Sequence, residues 1–381
     1  MPAEYYINLT DTAGALVATV SGGMGGDGGE SASGFTSLAY RNEVNAPGYC
    51  RVTFAGNHPA RSLLPTNGQI EVYRRNTDIG VAWYSDFVGI FRGQTHRTNE
   101  IGEWTIECPG IMSVLGWRGV AWYAGTNNRS TFGAVAAETI MKTLVSYNAG
   151  ANATAANGRV RDGVTSGKLS NLWTISNQAD GGAGNSKSWS CAWDNLLGTL
   201  QALSKAGAGG DFDLIKTAAA TFEFRWYAGQ RGTDRTASVI FSLDRGNMAQ
   251  PEYTFNRQNE ATVAIVAGQG DGTNRVIVTR NGADYSSSND IEAFIDGRSY
   301  STTAALQAIG DKAMFDRRAR VTLGFDVLQV PNAYYGKDYF VGDLVTARYL
   351  GASFTQKINA VNVSFEAGRG ESISVEMVTN G

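Results

Sequence analysis

The chain has 381 residues, with 32 Lys and Arg against 35 Asp and Glu and a formal net charge of −3. That length exceeds one compact core and predicts about two to four domains, while the balanced charge provides no basic field and excludes a dedicated duplex-DNA binder. Charged residues are only 18% of the chain, as expected of a surface largely covered by other subunits or of one rich in polar turns.

Residues 4–110 read as β-structure. Glu4–Leu9, Ala15–Val20, Phe35–Arg41, Tyr49–Phe54, Gln69–Arg75, Val81–Arg92 and Glu103–Cys108 are strand candidates. In Gln69–Arg75 the apolar Ile70 and Val72 alternate with Glu71 and Tyr73, the period of a half-buried strand. Ser21–Gly34 is too glycine-rich to hold one conformation unsupported and is expected to be a loop, ordered at a subunit or ring contact.

The pattern then changes. Ser130 can cap a helix over Thr131–Ser146, with Phe132, Ala136, Ile140 and Leu144 in one stripe. A second helix is expected after Ser190, with Trp193, Leu196, Leu197, Leu200 and Leu203 as its apolar face and Gly207–Gly210 as its stop. Loops and a short strand near Leu172–Ile175 lie between them. From Phe212 a meander is expected over Phe212–Thr217, Thr221–Trp226 and Ser238–Phe241. A hairpin over Ala261–Ala267 and Arg275–Thr279, a helix over Thr303–Arg318 and an alternating strand Val321–Val327 follow. Leu344–Tyr349, Lys357–Phe365 and Ser372–Val378 end the chain as strands.

The fold class is therefore mainly β with α+β inserts. The expected domains are 1–112 (β), 113–210 (helix-containing α/β), 211–258 with 334–381 (a split β domain) and 259–333 (an inserted hairpin–helix–strand unit). The two halves of the split domain are expected to share a hydrogen-bonded edge and close one barrel.

The C-terminal half carries a resemblance. GDFDLIKTAAATFEFRWYAGQRGTDRT from Gly210, the SLDRGN to AIVAGQGDGTNRVIV stretch, and YGKDYFVGDLVTARY at Tyr335–Tyr349 resemble, in that order, siphophage tail proteins of the baseplate-hub group. In the last of these, Gly342 and Asp343 read as a turn and Leu344 and Val345 as the start of a strand. The resemblance covers about 170 residues of sequence pattern; the first half matches by layout, through GWRGVAWYAG and the helix after it. It implies two tube-like β-barrel domains plus two smaller α/β domains, and a homotrimeric ring whose six barrels mimic a hexameric tail tube. It also implies a place in the virion tail tip or baseplate, after synthesis in the host cytoplasm. The implied partners are further copies of the chain, a distal tail protein ring, the tape measure protein and tail-tip or fibre proteins, with DNA only in transit. The group offers no catalytic motif, so no site residue, metal or cofactor is transferred.

The residues agree with a non-enzymatic reading. The two histidines, His58 in GNHPAR and His96 in GQTHRTN, are expected on the surface. Gly23–Gly28 matches GxGxxG but opens no helix, so it is not a dinucleotide site. No HExxH, GxSxG or GxxxxGK[ST] occurs. Asp211 and Asp213 share one side of a strand, and Asp86, Glu100 and Glu103 lie near aromatics, but none has the context of a glycosidase pair, so solvated or turn-capping roles are expected. Asp271 is the one carboxylate of the Gly268–Asn274 loop, too few for calcium. Cys50, Cys108 and Cys191 fit neither zinc nor redox spacing and are expected as buried thiols. The N-terminus lacks a secretion signal and no apolar run reaches membrane-spanning length. The alternatives are a carbohydrate-binding or glycan-cleaving tail-tip module, motivated by Trp83, Tyr84, Trp117, Trp122, Tyr123, Trp189 and Trp193, and the hub of a phage-derived injection particle.

Overall fold

The computed structural model describes residues 3–22, 34–98, 102–123, 129–159, 172–300 and 302–379. The expected Ser21–Gly34 loop and the GxGxxG match lie almost wholly outside the described residues. The chain divides into two compact units, 1–250 with 325–381, and 251–324.

In the larger unit the first strands are β1 (Glu4–Thr10), β2 (Leu16–Gly22), β3 (Phe35–Glu43), β4 (Tyr49–Ala55), β5 (Gln69–Asn76), β6 (Val81–Ile90), β7 (Gly93–Arg97) and β8 (Glu103–Pro109). They pair in a near-complete circuit, β1–β2–β3–β4–β8–β6–β5–β1. Two joins are single contacts, Gly22 with Phe35 and Gly89 with Gly110. Alternation drives the curl. Tyr5, Ile7, Leu9, Leu38, Tyr40, Val52, Phe54, Ile70, Val72, Trp104 and Ile106 are buried, and their neighbours along each strand face out.

The helical region differs from its expected boundaries. Ser130–Ala136 is a strand, β9, and the helix α1 begins only at Ala137 and ends at Asn148. Thr131, Phe132 and Val135 favour extended backbone, and β9 gains a partner in β11 (Ser186–Cys191). The Ser130 hydroxyl donates to the Trp122 carbonyl instead of capping a helix. After the short strand β10 (Thr174–Asn177), helix α2 runs over Leu196–Lys205. Its N-cap is Asn195, whose side chain accepts from the Gly198 N–H at 3.0 Å. Trp193 therefore lies outside the helix, at φ 62° and 60% exposed, not in the core stripe expected for it.

Strands β12 (Gly210–Ala218) and β13 (Thr221–Ala228) form the expected hairpin, but their sheet is completed by β10, in the order β10–β13–β12. Phe212, Leu214, Phe222, Phe224 and Trp226 pack with Ile140, Leu144, Leu196, Leu200 and Trp173 in the helical core. Burying five large side chains against two helices outweighs edge pairing with the C-terminal strands. Of the expected shared edge, β14 (Ile240–Ser242) joins those strands, preceded by a single bridge of Asp234 with Leu344.

Strands β15 (Met248–Asn256) and β19 (Arg320–Val327) pair with each other and carry the chain across the unit boundary. The smaller unit holds β16 (Val263–Ala267), β17 (Ile277–Asn281), β18 (Glu292–Asp296) and α3 (Thr303–Asp316), with sheet order β17–β16–β18. Leu306 and Met314 of α3 cover Ala264, Val266 and Ala293.

The C-terminal strands are β20 (Leu344–Tyr349), β21 (Ala352–Glu366) and β22 (Gly370–Thr379). The first half of β21 pairs with β20 and the second half with β3, Ala360–Glu366 against Ser37–Glu43. The C-terminal strands thus extend the N-terminal circuit into one 12-stranded sheet. The turn before β20 is built as the sequence implies. Gly342 has φ 93°, and the buried Asp343 accepts from the backbone N–H of Thr233 at 2.6 Å and of Phe340 at 2.9 Å and from Arg235 Nε at 2.7 Å. Gly232 is required there, because a Cβ on it would meet the Asp343 nitrogen at 2.2 Å.

Candidate functional site

One organised surface of the 12-stranded sheet runs over six adjacent strands, β22–β21–β3–β4–β8–β7. Its inner side is apolar, with Val361, Val363, Phe365, Leu38, Tyr40, Val52, Phe54, Trp104 and Ile106. Period-two geometry then dictates the outer side. One cross-strand row reads Ser372, Ser364, Ala39, Arg51, Glu107, Gly93. The next reads Gly370, Glu366, Ser37, Thr53, Thr105, Thr95. A third begins Ser374, Asn362, Arg41, Tyr49. Tyr49 is the one large apolar side chain among the three rows. Part of the face, around Thr53, Thr105 and Glu366, is concave.

The charges on this face neutralise one another. Arg51 pairs with Glu107 at 3.2 Å, Arg369 with Glu366 at 3.0 Å, and Arg41 with Glu43 at 2.9 Å. Arg41 also donates to both carboxylate oxygens of Glu376, one of them at 2.8 Å. Those bonds hold the Glu376 carboxyl below its ordinary range. Arg97 lies opposite Glu103 in register. The Thr53 and Thr105 hydroxyls meet at 3.2 Å. The result is a broad, self-satisfied polar sheet with neither an apolar patch nor an uncompensated cluster of cations.

Buried polar clusters fix this sheet from behind. Arg74 of β5 is 1% exposed and donates to Glu371 of β22 through Nε at 2.6 Å and through its terminal nitrogen at 2.9 Å. It also reaches the Tyr335 carbonyl at 3.2 Å. Burial opposes its charge, but the Glu371 bonds prevail and raise its pKa. Asp86 accepts from the hydroxyls of Tyr40 at 2.5 Å and Tyr335 at 2.8 Å; burial raises its pKa despite those bonds. Gly336 is needed beside this cluster, since a Cβ would meet the Tyr84 hydroxyl at 2.4 Å, at φ 80°.

The weighed catalytic candidates do not converge. Asp211 and Asp213 are buried, not solvated as expected. Asp211 accepts from Lys357 Nζ at 2.5 Å, Asn45 Nδ2 at 3.0 Å and the Arg231 N–H at 2.8 Å. Asp213 pairs with Arg231 at 2.8 Å, and burial raises its pKa against that pull. Both carboxylates tie β12 to its surroundings, with lone pairs committed. His58 is also buried, contrary to the surface expectation: its Nδ1 accepts from the Ala60 N–H at 3.2 Å and its ring lies against Phe54 and Trp104. His96 is exposed, on β7 rather than in a loop, and its Nε2 lies 3.2 Å from the Gly56 carbonyl oxygen. Glu103 is exposed on the polar face, Asp271 is exposed in its loop, and Glu100 lies outside the described residues. Cys50, Cys108 and Cys191 are buried free thiols; Cys50 and Cys108 face each other across β4 and β8, and burial raises the pKa of all three. Among the described residues, no group of three or more His, Cys, Asp or Glu could hold a metal, and no helix is long and apolar enough to cross a membrane.

The aromatics divide between core and surface. Trp122 is buried and Tyr123 half-buried, packed edge-on to the exposed Trp193. Trp83 is covered on one side by Arg75, 4.7 Å from its ring centre, and met by Tyr6 at 4.7 Å.

The scaffold is mainly β, its buried carboxylates bind its own strands together, and the charges on its six-stranded polar face are paired with one another. Residues 29–377 match the family described as Siphovirus ReqiPepy6 Gp37-like protein, and the chain belongs to that family. No curated protein matches it. Its fold is similar to that of a prophage MuSo2 43 kDa tail protein from Shewanella oneidensis, with TM-score 0.58, 11% identity and coverage of 99% of this chain and 98% of that one. It is similar to a tail protein from Neisseria meningitidis MC58, with TM-score 0.57, 9% identity and coverage of 100% and 97%. It is likewise similar to the prophage tail protein gp18 from Listeria monocytogenes EGD-e, with TM-score 0.55, 10% identity and coverage of 99% and 94%. The chain is thus a member of a siphovirus protein family, and it has the fold of phage tail proteins.

Proposed function

We propose that the chain is a baseplate-hub subunit: three copies form a ring at the tail tip, joining a distal tail protein ring on one side to tip or fibre proteins on the other. The observation that carries this reading is the six-stranded polar face. The ring's lumen must let the tape measure protein and then DNA pass without holding them. Affinity for DNA comes mainly from Lys and Arg that displace counterions from phosphates. On this face the cations are Arg41, Arg51, Arg97 and Arg369, and Glu43, Glu103, Glu107, Glu366 and Glu376 offset them. With no apolar patch either, the surface adheres neither to polyanion nor to protein.

The division into two tube-like barrels enters this proposal in amended form. One barrel is the circuit of β1–β6 and β8; the second wall consists of β14 and β20–β22, continuous with the first through the β3–β21 pairing. Cryo-EM of assembled tails tests the reading: a threefold ring of this chain between tube and tip is expected, and a copy number other than three, or a position away from the tip, overturns it. Trp83 and Tyr6 do not support a glycan-binding module: Arg75 lies over the Trp83 ring, and Tyr6 stacks on Tyr73 and meets Trp83 edge-on.

A further inference from the structure

The buried carboxylate of Asp211 brings together two side chains from opposite ends of the chain. Its Oδ1 accepts from Asn45 Nδ2 at 3.0 Å, and its Oδ2 accepts from Lys357 Nζ at 2.5 Å and from the Arg231 N–H at 2.8 Å. Asn45 lies in the turn after β3, at φ 57°. That turn runs alongside β21: Ala360 pairs with Glu43, and the Val44 N–H donates to the Asn359 carbonyl at 2.9 Å. The Asn45 amide is fixed in orientation. Its Nδ2 also donates to Ser204 Oγ at 3.1 Å, and its Oδ1 accepts from the Phe212 N–H at 2.7 Å. Asp211 is 3% exposed. Among the described residues, the other buried lysine–carboxylate pairs, Lys142 with Glu138 and Lys216 with Glu71, hold no side-chain amide on the same carboxylate.

We infer that Lys357 and Asn45 join in an intramolecular amide bond, with Asp211 as the proton carrier. A lysine attacks only as the neutral amine, and in a dry site a lysine–carboxylate pair can pass its proton along the hydrogen bond between them. Asp211 takes that proton from Lys357. Nζ then attacks Asn45 Cγ, and the carbonyl electron pair moves onto Oδ1, where the Phe212 N–H receives the developing charge. Asp211 hands its proton to Nδ2 and takes the second one from Nζ. The Cγ–Nδ2 bond breaks, ammonia leaves, and it carries the last proton away as ammonium, so Asp211 ends as the carboxylate it began as. No oxidant or cofactor enters. Holding amine, amide and acid together in the folded chain replaces an encounter in solution. The bond clasps the β3 turn to β21, at the junction that makes the first strands and the C-terminal strands one sheet. This chemistry does not depend on the ring reading.

Intact mass spectrometry of the full chain in denaturant tests it. The wild type should be lighter than its sequence by one ammonia. After trypsin, residues 42–51 should be linked to residues 349–369, because trypsin does not cut after an acylated Lys357. Lys357→Arg keeps the charge but not the nucleophile, and Asp211→Asn keeps the shape but not the proton carrier. Each should show full mass and separate peptides, with near-ultraviolet dichroism reporting that it folds. A folded wild-type chain of full mass overturns the inference, and so does an ammonia loss that persists in Lys357→Arg. Loss that maps to Asn67–Gly68, Asn157–Gly158 or Asn281–Gly282, where ring closure on the next backbone nitrogen releases ammonia without a cross-link, also overturns it. A cross-link that still forms in folded Asp211→Asn overturns the role of Asp211. The wild-type mass decides by itself, so a variant that fails to fold leaves the test intact.

Discussion

Glu371→Gln perturbs the bond that ties the end of the chain to its beginning. Arg74 and Glu371 are 297 residues apart in sequence, and their side chains are 1% and 14% exposed. The substitution leaves the guanidinium in place, removes its counter-charge and turns one bonded oxygen into a donor facing it. Removing one partner of a buried pair costs about 3–5 kcal/mol. The partial exposure of Glu371 and the remaining bonds from Arg74 to Tyr5, Tyr84 and the Tyr335 carbonyl place this case at the lower end, about 3 kcal/mol. Replacing both partners, Arg74→Met with Glu371→Leu, removes the charge and the need to solvate it, and should recover most of that loss. Urea unfolding of the full chain, followed by tryptophan fluorescence, measures all three proteins. A Glu371→Gln midpoint close to wild type, or a double variant less stable than Glu371→Gln, would refute the reasoning.

Further outcomes follow from other sites. Glu138 and Lys142 are a buried pair on α1, and Glu138 also accepts from the Ala183 N–H at 2.7 Å. Burial opposes its ionisation, but these bonds win and hold its carboxyl below the ordinary 4.5. A depressed carboxylate stabilises above its unfolded pKa and loses that contribution as pH falls through the folded one. Near-ultraviolet dichroism should show an acid transition below about pH 4.5, and Glu138→Gln should weaken that limb while lowering stability at pH 7. Asp86 and Asp213, whose pKa values are raised, act with the opposite sign, so neutralising either alone should not steepen the acid limb. Gly336→Ala should cost more than about 1 kcal/mol, because it combines positive φ with contacts to Tyr84 and Arg74. Trp193→Ser should change stability by less than about 0.5 kcal/mol, an outcome that a core tryptophan could not give. A thiol reagent should label none of the three cysteines in the native protein and all three in denaturant.

The strands were legible where one face is buried. β5, β19 and β22 alternate cleanly in sequence and in burial. β7 and β18 were not, because each is only five residues long and has no run of β-branched or aromatic residues, and β15 was not, because Pro251 interrupts it and most of it is exposed. Ser130 suits a helix cap and a strand beginning equally well, and the partner that decides, β11, lies more than fifty residues away. The assignment of β12 and β13 failed for a similar reason. Hairpins announce themselves locally, but the choice between two possible sheets depends on Trp173, Ile140 and Leu200. The polar face could have been approached from sequence, since Ser364, Thr53 and Thr105 each occupy an outward strand position. Their registration into rows could not, because β21 and β3 are joined by more than three hundred residues of chain.

The central claim is that the β22-to-β7 face lines the lumen of a threefold ring. A cryo-EM map of the assembled tail tip tests it most directly. Thr53, Thr105 and Ser364 should point into the channel in each of three copies. Finding those side chains on the outside of the tip, or packed beneath another tail protein, would contradict it.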